Sequence, residues 1–189
     1  MNASIKKYFG NSVLEIKPIK YLDNRGFFME FYHNNFFKKI GLFDVFKQEN
    51  ISYSKKKYTF RGLHFQTYPK SQSKLISVIS GKIIDVIVDL RKFSKTYGEH
   101  IKIKLDSKDI KLLYIPAGFA HGFLTLENNT VVSYKVSEYY SPKHEETLSI
   151  FDKKLKIKLG TAKRKLILSD KDLNGNELNN FTNIKFKWK

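Results

Sequence analysis

"KLISVISGKIIDVIVDL", residues 74–90, consists of two apolar, β-branched runs of strand length broken once, at Ser80-Gly81. Short runs of this composition bounded by turn residues read as strands. The same punctuation recurs along the chain. "HIKIKL" (100–105) and "KLLYIP" (111–116) flank "DSKD", and "GFLTL" (122–126) and "VVSYKVSEYY" (131–140) flank "ENNT". The spacing is roughly the 8–12 residues of sandwiches and barrels, with hairpin signals in place of long helical patterns, so the sheets are expected to be antiparallel. The expected fold is mainly β, an antiparallel double-sheet jelly roll or cupin-like barrel with a few short helices. One helix is predicted at "NNFFKKIG" (34–41). A second follows from "LSDKDLN" (168–174), where Ser169 and Asp172 have the spacing of an N-cap pair.

A chain of 189 residues can bury one core, and no repeat or low-complexity linker divides it, so residues 1–189 are expected to form a single domain. No run approaches the apolar length a bilayer needs, and "MNASIKKYFGNSVLEIK" (1–17) lacks a stretch of signal-peptide length, so a cytoplasmic location is expected. The absence of cysteine excludes disulfides, thiolate nucleophiles and cysteine metal sites. A net charge of +17 invites a nucleic-acid or membrane partner. Against it, the lysines of "IKIKL", "KIKL" (156–159) and "IKFKWK" (184–189) alternate with apolar residues, as on the solvent face of half-buried strands. Neither partner is expected. The four arginines are more informative in so lysine-rich a chain, because arginine offers a planar fork where charge alone would not need it. Arg25 and Arg61 each precede a glycine, in "DNRGFF" and "FRGLHF".

Of the five histidines, His33, His64, His100, His121 and His144, His64 raises the sharpest question. A metal-binding cupin usually supplies two histidines from one strand as H-x-H, whereas this strand offers His64-Phe65-Gln66. His64, His121 and a carboxylate could still make a three-ligand site, but a metal-free role is expected. As a base, a binding group or a satisfied core residue, His64 has suggestive neighbours. Gly62 allows close approach by another backbone or a ligand, Arg61 can grip a phosphate, and Lys74 opens the next strand. "IPAGFAHGFLTL" sets His121 between two glycines, Gly118 and Gly122, just before another strand. Tyr134 alternates with apolar neighbours and reads first as a core residue, with catalyst as the alternative. Asp172 could cap a helix, or hold an imidazole by its N–H and so fix the tautomer.

Together these segments resemble the dTDP-4-dehydrorhamnose 3,5-epimerase family of sugar-nucleotide epimerases. The resemblance runs in order through "DNRGFFMEFY" (23–32), "FKQENISYSKKKYTFRGLHFQ" (46–66) and "KLISVISGKIIDVIVDLRKFSKTYGEH" (74–100). It continues in "LLYIPAGFAHGFLTL" (112–126), "YKVSEYYSPKHE" (134–145) and "LSDKD" (168–172). It implies a metal-free, cofactor-free jelly roll that works as a homodimer on a nucleotide 4-keto-6-deoxy sugar. Position by position, it implies His64 as general base, Asp172 as its orienting carboxylate, Tyr134 as general acid and Lys74 as stabiliser of an enolate. Arg25, Glu30, Gln48, Glu49, Asn50, Arg61, His121, Glu145 and Lys171 fall on substrate-contacting positions, and Tyr140 on the aromatic that stacks with the nucleotide base. The implied reaction inverts C3 and C5 of dTDP-4-dehydro-6-deoxy-D-glucose. Alternatives are a C3-only or C5-only epimerase, a non-catalytic binding protein and a metal-dependent cupin. The chain departs from the family after "LSIFDKKLKIKLG" (148–160), where a Trp-Pro pair is missing and the following loop is rich in lysine. Altered packing is expected there.

Overall fold

The computed structural model describes residues 1–182 and 184–186. In chain order the strands are β1 (Ala3–Tyr8), β2 (Val13–Pro18), β3 (Tyr21–Asp23), β4 (Gly26–Phe28), β5 (Gln48–Ser54), β6 (Phe60–Gln66) and β7 (Lys74–Ser80). There follow β8 (Lys82–Asp89), β9 (His100–Asp106), β10 (Leu112–Ile115), β11 (Phe119–Thr125), β12 (Thr130–Val136) and β13 (Glu145–Thr147). Helices α1 (Asn34–Lys39) and α2 (Asp170–Leu173) stand at the two predicted places. Two antiparallel sheets face each other, one ordered β1-β2-β10-β7-β12-β5 and the other β13-β6-β11-β8-β9, with β3 and β4 as a separate hairpin. This is the jelly-roll architecture expected from the sequence.

The turns at Ser80-Gly81, "DSKD" and "ENNT" do not close hydrogen-bonded hairpins. Each joins strands of opposite sheets, since β7, β10 and β12 lie in the six-stranded sheet and β8, β9 and β11 in the five-stranded one. The chain therefore turns corners between layers, and β7 pairs with β10 and β12, both distant from it in sequence. At the first corner Gly81 has φ +82, and a Cβ there would stand 2.5 Å from the Thr130 hydroxyl oxygen.

Alternation along the strands sorts three cores. Ile76 and Val78 of β7, Ile83 and Ile87 of β8, Phe119 and Phe123 of β11 and Val132 of β12 meet between the sheets. On the outer face of the five-stranded sheet, Phe60, Leu63, Phe65, Val86 and Val88 are covered by the C-terminal segment through Leu148, Ile150, Leu155, Leu159 and Phe181. On the outer face of the six-stranded sheet, Phe37 of α1 packs on Leu14, Ile16, Leu75 and Leu112. The lysine alternation of "IKIKL" is that of an edge strand, with Ile103 and Leu105 inward and Lys102 and Lys104 exposed. "KIKL" is instead irregular chain in which Leu159 anchors to the core, so its alternation comes from docking and not from a strand. In "IKFKWK", residues 184–186 are also irregular, with Phe186 buried, and residues 187–189 lie outside the described residues. Leu155 and Leu159, in the segment just before the place where the Trp-Pro pair is missing, are buried in this core. Among the described residues no helix is long and apolar enough to cross a membrane.

Candidate active site

A cavity of about 420 Å³ opens between the sheets and is lined by Gln48, Asn50, Arg61, His64, Lys74, His121, Tyr134, Tyr140, Glu145 and Asp172, with Gln66, Gln72 and Phe123 among the rest. Its most unusual feature is local. In a regular strand, residues three apart point to opposite faces, yet Arg61 and His64 of β6 both reach this cavity. The register explains it: His64 pairs with His121 and Arg61 with Phe123, so β6 carries one residue more than β11 across the same interval. This bulge lies at Gly62 and Leu63, and it turns Leu63 into the outer core while Arg61 and His64 share the inner face. Gly62 makes it possible, with φ +127 and a Cβ position 2.5 Å from the Gly122 Cα. The glycine in "FRGLHF" is thus a close approach of two backbones.

His64 Nε2 lies 2.5 Å from Asp172 Oδ1. Burial pushes the Asp172 carboxyl up, but the His64 ring, the Ser169 hydroxyl and the Gly62 backbone N–H outweigh it and hold it below the usual carboxylate range. As an anion Asp172 accepts from Nε2–H, which leaves Nδ1 as the basic nitrogen of His64. Asp172 keeps its place in the cap, where its backbone N–H donates to Ser169 Oγ at 3.2 Å. The two readings of Asp172 are therefore compatible: its main chain is capped while its carboxylate serves the imidazole.

The facing sheet contributes Lys74 and Tyr134. Lys74 is buried, donates to the His64 backbone carbonyl at 3.1 Å, and is pushed down by burial to about 8, with Glu145 and Asp85 resisting the fall. Tyr134 is raised by burial and by the Glu145 charge, so its phenol keeps its proton at neutral pH. His121 Nε2 lies 2.8 Å from Asp85 Oδ2. Both groups are buried, which lowers His121 and raises Asp85. Asp85 was not singled out by motif, although in "KIIDVIVDL" it is the acid at an inward position between Ile83 and Ile87. Among the described residues no group of three histidine, aspartate or glutamate side chains is placed to hold a metal ion.

At the cavity mouth Arg61 is held by Ser54 Oγ at 3.1 Å and the Tyr53 carbonyl at 3.0 Å. Gln48 Nε2 donates to Asn50 Oδ1 at 2.8 Å, and Gln48 Oε1 accepts from the Tyr140 backbone N–H. Glu145 accepts from Tyr140 Oη at 2.8 Å and pairs with Lys171. Four expected residues do not line this cavity from their own chain: Glu49, Arg25, Glu30 and Lys171, the last of which reaches it only through its pair with Glu145. Glu49 points to the other face of β5, as alternation requires, and is engaged by Ser133 and Lys135. Arg25 folds onto Asp23 in the exposed β3–β4 turn, and Glu30 pairs with the N-terminal amine. His33 caps α1 and His144 bonds Ser141, both outside the cavity.

Two facing sheets around a cavity that gathers His64, Asp172, Lys74 and Tyr134 define a jelly-roll protein with a pocket of titratable side chains, and its relatives are carbohydrate epimerases. The chain belongs to the dTDP-4-dehydrorhamnose 3,5-epimerase family, whose family model matches residues 11–180. The enzyme of that name from Methanothermobacter thermautotrophicus is 42% identical over 160 residues, 84% of this chain and 85% of that protein. A Bacillus anthracis dTDP-4-dehydrorhamnose 3,5-epimerase, solved with TDP and pyrophosphate bound, is 41% identical with a TM-score of 0.90, over 93% of this chain and 99% of that one. A Legionella pneumophila epimerase, solved in complex with dTDP-4-keto-L-rhamnose, is 35% identical with a TM-score of 0.89, over 94% of both chains.

Proposed function

We propose that this chain converts dTDP-4-dehydro-6-deoxy-D-glucose to dTDP-4-dehydro-L-rhamnose by inverting C3 and C5, the activity named for its relatives. The observation that carries this is that His64 of the five-stranded sheet, held by Asp172 of α2, and Tyr134 of the six-stranded sheet line the same cavity from facing walls, as suits a base and an acid. Inversion needs that arrangement. The C4 ketone acidifies the protons on C3 and C5, because either carbanion delocalises onto the carbonyl oxygen as an enolate. His64 Nδ1 takes the proton from one face. The electron pair moves to the C4 oxygen, where the Lys74 ammonium stabilises it, and the Tyr134 hydroxyl returns a proton from the other face. The His64 proton and the Tyr134 vacancy then equilibrate with solvent, and the same groups serve the second carbon. Arg61 is suited to anchor the diphosphate and Tyr140 to stack on the base, with Gln48, Asn50, His121, Glu145 and Lys171 as further substrate contacts, so that nucleotide binding energy positions the sugar. The test is conversion of that substrate by the purified protein, followed by reduction: a rhamnose-configured product supports the reading, and unchanged gluco configuration overturns it.

A cytoplasmic homodimer is part of the same proposal. Exposed apolar residues support an interface between copies, since edge strand β5 presents Ile51 at 75% and Tyr53 at 54% exposure and the β3–β4 hairpin presents Leu22 at 80% and Phe28 at 68%. Arg25 and Glu30, remote from their own cavity, would gain a substrate role only from such a partner. Sedimentation at micromolar concentration is expected to give twice the 22.2 kDa chain mass. A monomeric mass in an active preparation would remove the dimer from the account.

Lys74 carries a second expectation with two opposed readouts. Its ordinary value of 10.5 falls to about 8 on folding, so the unfolded chain binds this proton more tightly. The folded state is therefore penalised below about pH 8, by at most about 3 kcal/mol, and the penalty fades as pH rises toward 10.5. Lys74→Met is expected to cut kcat by about 10²–10³-fold while raising the unfolding midpoint at pH 7, with the gain shrinking by pH 10. Parallel kinetics and thermal melts check this, and loss of stability together with activity would make Lys74 a structural residue.

A further inference from the structure

Asp85 is a carboxylate in an apolar layer. It lies on β8 between Ile83 and Ile87, and its inward neighbours belong to the cluster that fills the space between the sheets. It has no exposed surface. One carboxylate oxygen meets His121 Nε2 at 2.8 Å, and the other, Oδ1, is buried with no hydrogen-bond partner among the described residues. A buried carboxylate oxygen without a donor is costly, and native structures retain such groups where they serve something. Lys74 projects into the same interlayer space from the opposite sheet, because on β7 it shares the face of Ile76 and Val78. Its ammonium has one protein acceptor among the described residues, the His64 carbonyl.

We propose that Asp85 is a positioning residue for the reaction: it holds His121 by one oxygen and supplies the fixed negative charge that keeps Lys74 an ammonium where the enolate oxygen forms. The inference rests on the epimerase reading above and names a residue outside the set that touches substrate. Lys74 is faced by several charges, and their sources differ. Glu145 of β13 and Asp85 of β8 favour its charged form, while Lys171 of α2 opposes it. Asp172 of α2 is engaged by His64 of β6, and His121 of β11 is neutralised by burial. Tyr134 of β12 keeps its proton and Arg61 of β6 is tied to Ser54 and Tyr53. Glu145 is already paired with Lys171 and Tyr140, which leaves Asp85 as the anion with an oxygen to spare.

The test is the pH dependence of kcat/KM for Asp85→Asn, an isosteric change that keeps an acceptor for His121 and removes the charge. In the unaltered enzyme the alkaline limb should fall near the Lys74 value of about 8. Without the carboxylate it is expected to move acidward by about one pH unit, so the variant's deficit grows by about tenfold between pH 6 and pH 9. A merely structural Asp85 would lower activity equally at every pH, and parallel profiles would overturn the proposal. A stability cycle gives an independent readout. Asp85→Asn should cost the unfolding midpoint more in the unaltered chain than in Lys74→Met, where the ammonium is gone, and a failure of the single variant to fold should be rescued in the double. Equal losses in both backgrounds, or no rescue, also overturn it. An unaltered enzyme that epimerises nothing would instead refute the epimerase reading, while the stability cycle still decides the coupling.

Discussion

His64→Ala should lose about 10²–10⁴-fold in turnover, and deuterium incorporation at C3 and C5 should disappear together. The joint loss is the diagnostic part, since one base faces one cavity and both acidic carbons flank the same ketone. A separate base for each carbon would leave one exchange intact. The fold should survive the change. Asp172 loses its imidazole partner but keeps the Ser169 hydroxyl near its cap, and Leu63 and Phe65, which anchor β6 in the outer core, are untouched. Circular dichroism and a thermal melt on the same sample separate loss of chemistry from loss of structure. Unimpaired turnover in this variant would remove His64 from the mechanism.

Tyr134→Phe divides the two half-reactions. The ring packs against the layer between the sheets, and phenylalanine preserves that contact. Among the described residues the hydroxyl makes no side-chain hydrogen bond that the change would forfeit, so little stability should be lost. Epimerisation should fall by about 10²–10⁴-fold while exchange persists, because His64 can still remove a proton and return a deuteron to the face it came from. Deuterated but uninverted sugar is the expected product. Full-rate epimerisation would make Tyr134 a core residue, the first reading of its alternating neighbours.

Those neighbours illustrate how far the sequence reached. Short β-branched runs bounded by turn residues, such as "KLISVIS" and "IIDVIVDL", made the strands and the jelly roll legible, and hairpin signals in place of helical patterns made the sheets antiparallel. They could not say that the turn between these two runs changes sheets, because turn chemistry specifies that the chain reverses and not which layer the next strand joins. That choice is made by long-range pairing, as when β7 settles between β10 and β12. The lysines of 156–159 misled for a related reason: alternating contact with a core also arises in irregular chain docked on a sheet. In the site, His64, Lys74, Tyr134 and Asp172 came from a family resemblance, and their meeting in one cavity depends on 108 residues of separation between His64 and Asp172 that no local pattern encodes. Gly62 signalled a close approach, but the bulge that aims Arg61 and His64 to one side required the register with β11. Glu49 shows the converse, since its neighbours Gln48 and Asn50 line the cavity and simple alternation turns it away.

The most direct measurement is proton NMR of the purified protein with dTDP-4-dehydro-6-deoxy-D-glucose in deuterated water, with a chelator present, following C3 and C5. The expected result is deuterium at both carbons and, after reduction, a rhamnose-configured sugar, with no loss of rate to the chelator. Exchange at neither carbon in the folded protein would contradict the account at its centre, and exchange at one alone would reduce it to a single-carbon epimerase.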